Sequence, residues 1–183
     1  MRTAVIGHVE WVEFARVGSL PSAGSIIHAS RWWEAPAGGG PGAAAQLLKL
    51  AGHCALYTAL GDDEIGHRAK SELEKMGLDV HVAWRSDRSR RAFTHITQDG
   101  ERTLTVLGDR LAPWGSDDLP WSDLENSDAV FFTAGDAAAL KKGRAAKNLT
   151  ATSRVLDLLR SASVRLDGLV GSADDPSESY SPG

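Results

Sequence analysis

A chain of 183 residues, 42% hydrophobic and with a formal net charge of −4, is long enough to close a core around one domain. Its acidic balance excludes the broad basic surface that nucleic acid or an anionic membrane rewards. The single Cys54 excludes an internal disulfide, and the six histidines (His8, His28, His53, His67, His81, His95) lack the paired spacing of a zinc site, so no structural metal is expected. No apolar run reaches the length of a membrane span, and MRTAVIGHVE lacks the charged-then-apolar order of a signal peptide, so the expected location is the cytoplasm.

TAVIG (3–7) reads as a buried strand, and HVEWVEFARV continues it with alternating polar and apolar residues. SIIHASRWWEA (25–35) is a second strand candidate, followed by the glycine-rich PAGGGPG and then a helix from Ala43 with Leu47, Leu48 and Leu50, ending at Gly52. CALYTAL (54–60) is a buried strand, GDDEIG leads into a helix carrying Ile65, Ala69, Leu73 and Met76, Gly77 ends it, and LDVHVAW resumes extended structure as a βαβ unit. RSDRSRR (85–91), broken by Asp87, reads as a solvated loop.

RAFTHITQDGERTLTVLG (91–108) predicts a hairpin turning at Asp99–Gly100, with a type I′ turn. DAVFF (128–132) is a strand, Ala137 to Lys147 a helix, and VRLDGLVG (164–171) a later strand. Residues 172–183, SADDPSESYSPG, are polar and aperiodic and read as a tail or a truncated continuation.

The ordered string VIGHVEWVEF, AGGGPGAAAQLLKLAGHCALYTALGDDEIG, DGERTLTVLG, DAVFFTAGD and VRLDGLVGSADD resembles the ribokinase, or PfkB, family of carbohydrate kinases. The resemblance implies a three-layer α/β/α sandwich with a mostly parallel central sheet and a small β-sheet lid, spanning residues 1–171, with lid strands at about 9–14, 26–35 and 92–107. It implies an ATP-dependent transfer of the γ-phosphate to a sugar hydroxyl, with ATP and Mg²⁺ as cofactors and a sugar or nucleoside as partner. The family's GAGD turn, which holds the catalytic base, is expected beyond residue 183, so this chain alone is expected to transfer no phosphate. A non-catalytic sugar- or nucleoside-binding module derived from the same scaffold is the alternative.

Gly38, Gly39 and Gly40 are candidate substrate contacts, because a backbone without Cβ can approach a ligand closely, and the matching family backbone lies against the sugar. Two polar positions the resemblance expects are replaced, by Ala43 and Val12. Glu10, which shares a strand face with Val12, is the better substitute, and Glu13 falls on the other face. Trp32 and Trp33 fall in the lid, where one could stack on a ligand while the other packs in the lid or in a lid-mediated homodimer.

In FFTAGDAAAL, Thr133 and Gly135 are candidate pocket residues. Asp136 is either a substrate contact or the N-cap of the following helix, and the cap is preferred. Asp62, Asp63 and Glu64 are read as capping residues rather than metal ligands. Arg154, Ser172 and Asp175 fall on the nucleotide and Mg²⁺ side of the resemblance.

Overall fold

The computed structural model describes residues 1–180. In chain order the elements are β1 (Thr3–Ile6), β2 (Glu10–Arg16), β3 (Arg31–Ala37), α1 (Gly39–Ala51), β4 (Cys54–Gly61), α2 (Glu64–Lys75), β5 (Asp79–Arg85), β6 (Arg91–Ile96), β7 (Arg102–Leu107), β8 (Ala129–Phe132), α3 (Ala137–Gly143), β9 (Asn148–Thr152), α4 (Leu156–Ala162) and β10 (Gly168–Val170).

Six strands form one wholly parallel sheet in the order β10-β9-β8-β1-β4-β5. Every residue of β1 is buried, as expected for a central parallel strand covered on both faces. Alternation then divides the core. Ala4 and Ile6 join Val130, Phe132, Leu140 and Leu159 on the α3/α4 side. Val5 joins Leu56, Ala44, Ala69 and Leu73 on the α1/α2 side. The result is the three-layer arrangement.

The other four strands form a second sheet in the order β3-β2-β6-β7, with β2 parallel to β6 and antiparallel to β3. Residues on one face of this lid recur at period two: Glu10, Val12 and Phe14 on β2, Ala92 and Thr94 on β6, and Leu104 and Val106 on β7. The opposite face packs on α2, where Arg68 lies over the Trp11 ring at 4.4 Å and pairs with Glu34 at 2.7 Å.

Several boundaries differ from those read in the sequence. The strand read at 25–35 is β3 and starts at Arg31 rather than residue 25, because pairing with β2 ends at Arg16 opposite Arg31, and Ile26 beyond it is 90% exposed. Helix α1 starts at Gly39, four residues before the apolar pattern does. Gly38 caps it at φ 100°, and the Gly40 N–H donates to His8 O at 3.0 Å. Close packing overrides the low helix propensity of glycine here. Helix α3 stops at Gly143, whose missing Cβ leaves room for Ile6 and Leu149, so the chain turns into β9 earlier than the Ala/Lys composition predicts. The predicted 91–108 hairpin forms without a type I′ turn. Of the turn residues 98–100 only Gly100 has positive φ, Gly100 N–H donates to Thr97 O and Thr97 N–H to Glu101 O, the pattern of a three-residue loop ending in a glycine bulge. Residues 181–183 of the predicted tail lie outside the described residues.

Candidate active site

The chain runs from β1 outward to β4 and β5 on one side, then restarts at β8 on the other side of β1. In open parallel sheets the gap at such a reversal, at the carboxyl ends of the strands, is where ligands bind. His8 follows β1 there and Thr133 follows β8, with Thr133 N–H donating to Ile6 O at 2.8 Å. A cleft of about 570 Å³ opens at this point, within the range of small-molecule sites. Its floor carries His8, Thr133, Thr152 and Val170 from the strand ends, one wall is Gly38, Gly39 and Ala43 from the start of α1, and its roof is Glu10, Leu104 and Val106 from the lid.

The glycines are fitted to this corner. A Cβ on Gly38 would come within 3.0 Å of His8 Nε2, one on Gly40 within 2.8 Å of His8 O, and one on Gly7 within 2.2 Å of Thr133 Oγ1. Gly38 and Gly39 line the cleft, whereas Gly40 lies buried beneath them. His8 is buried too. Burial first, and then the positive charges of Arg110, Arg90 and Arg154, push its pKa down to about 4, so the ring is neutral at pH 7. Its Nδ1, the Thr133 Oγ1 and the Glu10 Oε2 are buried without a hydrogen-bond partner among the described residues.

Glu10 faces Arg90, with Oε2 and Nε 2.9 Å apart at an angle outside hydrogen-bond geometry, and both side chains are largely buried. RSDRSRR is therefore not a solvated loop as a whole. Arg85 makes a bidentate pair with Asp117 at 2.8 and 2.7 Å under the Trp114 ring, Arg91 pairs with Glu13, and Ser89 is buried. Their carboxylate partners lie far away in sequence, so the charge pattern alone concealed them.

The acidic turn GDDEIG does structural work. Asp63 Oδ1 accepts from Gly66 N–H at 2.7 Å and from Ser89 Oγ at 2.8 Å, and Oδ2 accepts from Ser89 N–H at 2.8 Å. Burial raises the Asp63 pKa, but these hydrogen bonds outweigh it and the net shift is downward. Asp136 is likewise the N-cap of α3: Oδ1 accepts from Ala139 N–H at 2.7 Å and from Gly115 N–H at 2.9 Å.

The remaining candidates divide. Thr133 and Arg154 line the cleft, and Gly135 lines an adjoining cavity of about 420 Å³ that shares Arg110 and Arg154 with it. Trp33 is on the cleft side of the lid, but its ring stacks on Phe14 at 5.1 Å. Trp32 is on the opposite face and 71% exposed. Arg154, Ser172 and Asp175 do come together: Arg154 pairs with Asp175 and Glu178, and Ser172 N–H donates to Glu178 Oε2 at 2.8 Å. His8, Arg90 and Arg110 were missed in the sequence. The one available signal was a histidine directly after the glycine that ends the first strand.

A model of the pfkB family of carbohydrate kinases matches residues 2–170. Among curated proteins, the ATP-dependent ribose-1-phosphate kinase of Halopiger xanaduensis is 29% identical over 138 residues, 73% of this chain and 46% of the relative. The chain thus spans about half the length of that relative. Among solved structures, a carbohydrate kinase from Agrobacterium tumefaciens superposes with a TM-score of 0.68 at 18% identity, covering 92% of this chain and 59% of that one. The Arabidopsis thaliana ribokinase solved with ribose and ATP superposes with a TM-score of 0.61 at 19% identity, covering 82% and 52%.

Proposed function

Because the chain belongs to the pfkB family of carbohydrate kinases, we propose that it is the acceptor-binding and lid part of an ATP-dependent kinase that phosphorylates a hydroxyl of a sugar or nucleoside. The name carried by the Halopiger relative extends that acceptor class to a sugar phosphate. One observation carries the reading: the Gly38–Gly39 backbone opens onto a cleft at the strand-order reversal, beneath a lid sheet. Backbone without Cβ lets hydroxyls come close, Leu104, Val106 and Phe131 offer apolar surface to a ring, and neutral His8 can exchange hydrogen bonds without adding charge. Closure of the lid excludes water, which would otherwise compete for the phosphoryl group.

ATP supplies the phosphoryl group in such a reaction. The residues present do not make a Mg²⁺ site: Asp175 and Glu178 are engaged by Arg154, and among the described residues no three His, Cys, Asp or Glu converge. Nor is a cleft carboxylate available to take the hydroxyl proton. Glu10 faces Arg90, Glu178 faces Arg154, and Asp136 accepts two backbone N–H groups. The 183-residue chain is therefore expected to bind an acceptor and not to phosphorylate it.

A thermal-shift screen of sugars and nucleosides tests the binding half, since a ligand of the native state raises its melting temperature. Incubation with ATP, Mg²⁺ and the same compounds tests the other half, and ATP-dependent phosphorylation by this chain alone would overturn the assignment of its residues. Val12 and Ala43, which stand where the family's polar sugar contacts are expected, favour a second reading as a binding module. Acceptor binding by a longer, nucleotide-binding product of the same gene, without phosphoryl transfer, would support it.

A further inference from the structure

We infer that His8 is the specificity-determining residue of the cleft: its Nε2–H donates a hydrogen bond to one hydroxyl oxygen of the acceptor. The inference rests on the acceptor-binding reading given above and names the group that chooses among acceptors.

A pocket of this kind orients its ligand through a few fixed polar groups set in apolar surface. Here most of those groups are already engaged. Glu10 faces Arg90, Glu178 Oε1 accepts from Arg154 Nε at 2.9 Å, and Thr152 Oγ1 accepts from the Arg154 N–H at 3.3 Å. Thr133 Oγ1 is buried, and Arg110 is an exposed, long side chain that loses rotamer freedom when held in place. His8 differs from all of them. It lines the cleft and makes no side-chain hydrogen bond among the described residues; Nδ1 is shut away, and Nε2 is the ring nitrogen left open.

The neighbouring glycines seat the ring. A Cβ on Gly38 would lie 3.0 Å from Nε2 and 3.1 Å from Cδ2, and one on Gly39 would lie 3.3 Å from Cε1. The edge that bears Nε2 therefore rests on backbone too bare to push it aside, at a Gly38 whose φ of 100° other residues rarely adopt.

The place of the proton follows from the two environments. Burial and the nearby arginines keep the imidazole neutral at pH 7, so it carries one N–H. On Nδ1 that donor would be buried without an acceptor, an arrangement that folded proteins avoid. On Nε2 it faces the cleft, where a ligand oxygen can take it. An acceptor lacking the matching hydroxyl leaves this donor unpaired, and a site built to hydrogen-bond a hydroxyl rejects such analogues strongly.

The test is calorimetric titration of the full 183-residue chain with ribose, inosine and the analogues of each that lack one ribose hydroxyl, comparing wild type with His8→Phe and His8→Gln. His8→Phe keeps a ring without the donor, and His8→Gln keeps an N–H. Unchanged circular dichroism and melting temperature would establish that both fold. The expected result is that one deoxy analogue binds wild type roughly five- to twentyfold more weakly than its parent, that His8→Phe no longer separates the two, and that His8→Gln keeps part of the separation. An equal loss for parent and analogues in His8→Phe would mean a structural role and overturn the inference, as would binding that ignores His8. NMR of the histidine-labelled wild type, with the His8 signal assigned by its absence from His8→Gln, should show the Nε2–H tautomer at pH 7. The Nδ1–H tautomer would overturn the inference even if His8→Phe does not fold. In each of these outcomes the acceptor-binding reading stands as long as a parent sugar or nucleoside binds. Failure of every probe to bind would overturn that reading and the inference with it.

Discussion

Glu10 and Arg90 face each other at 2.9 Å across the junction of lid and cleft, with side chains only 10% and 15% exposed. Removing one partner of such a pair strands the other charge. Glu10→Gln is expected to cost about 2–3 kcal/mol, below the 3–5 kcal/mol of fully buried pairs because one side opens on the cleft. Urea denaturation of the variant against wild type checks this, and a change below about 0.5 kcal/mol would mean that solvent already screens the pair.

Gly40→Ala should strain the corner where α1 meets β1. The added methyl would lie 2.8 Å from His8 O, a backbone atom that cannot rotate away. Overpacking of this kind typically costs 1–3 kcal/mol, so a loss of about 2 kcal/mol is expected. Acceptor affinity should fall with it, because the shift moves Gly38 and His8 together. Thermal denaturation and the sugar screen, run on one preparation, read both effects.

His8 predicts an acid-side loss of stability. Its ordinary pKa is 6.5 and its folded value about 4, so between them the unfolded chain binds a proton that the folded chain refuses. Stability from this group is full above pH 6.5 and falls as the pH drops towards 4. At about 1.4 kcal/mol per unit, the loss reaches about 3 kcal/mol. Denaturation midpoints at pH 7.5 and 5.0 should differ by less in His8→Gln than in wild type, and an equal difference would remove His8 from the account.

Asp136→Ala removes the cap of α3 and the tie to Gly115. The expected cost is about 1–2 kcal/mol. In a longer, catalytically active product, turnover should survive the substitution. Abolished turnover with an intact fold would make Asp136 a reacting group after all.

The parallel core was legible because β1, β4 and β8 are short apolar runs, the first two buried on both faces, and α2 carries its cap, its apolar spacing and Gly77 in plain order. The lid was legible as alternation, and the glycine wall as glycines. The start of α1 was not, since Gly39 and Gly40 are helical through contact with His8 rather than through their own preference. The arginines were not legible either. Arg85 and Arg90 look like solvated charge until Asp117 and Glu10 are brought to them by the fold, and no local pattern reports a partner that distant. Helix α4 is seven residues long, too short for its periodicity to stand out.

The lid is stitched from three places in the chain. Residues 11–16 on β2 pair with residues 91–96 on β6, and β3, α1, β4, α2 and β5 all lie between them in sequence. The β2–β3 and β6–β7 pairs are local, but the β2–β6 seam that joins them cannot nucleate locally, because closing the long intervening loop costs entropy before that seam's first contact forms. Its natural order of assembly is last, after the β1–α1–β4–α2–β5 unit has brought Ser89 and Asp63 together at its base. In native-state hydrogen exchange the amides of β2, β6 and β7 should accordingly open at lower free energy than those of β1 and β4, giving the molecule a roof that lifts while its floor stays folded.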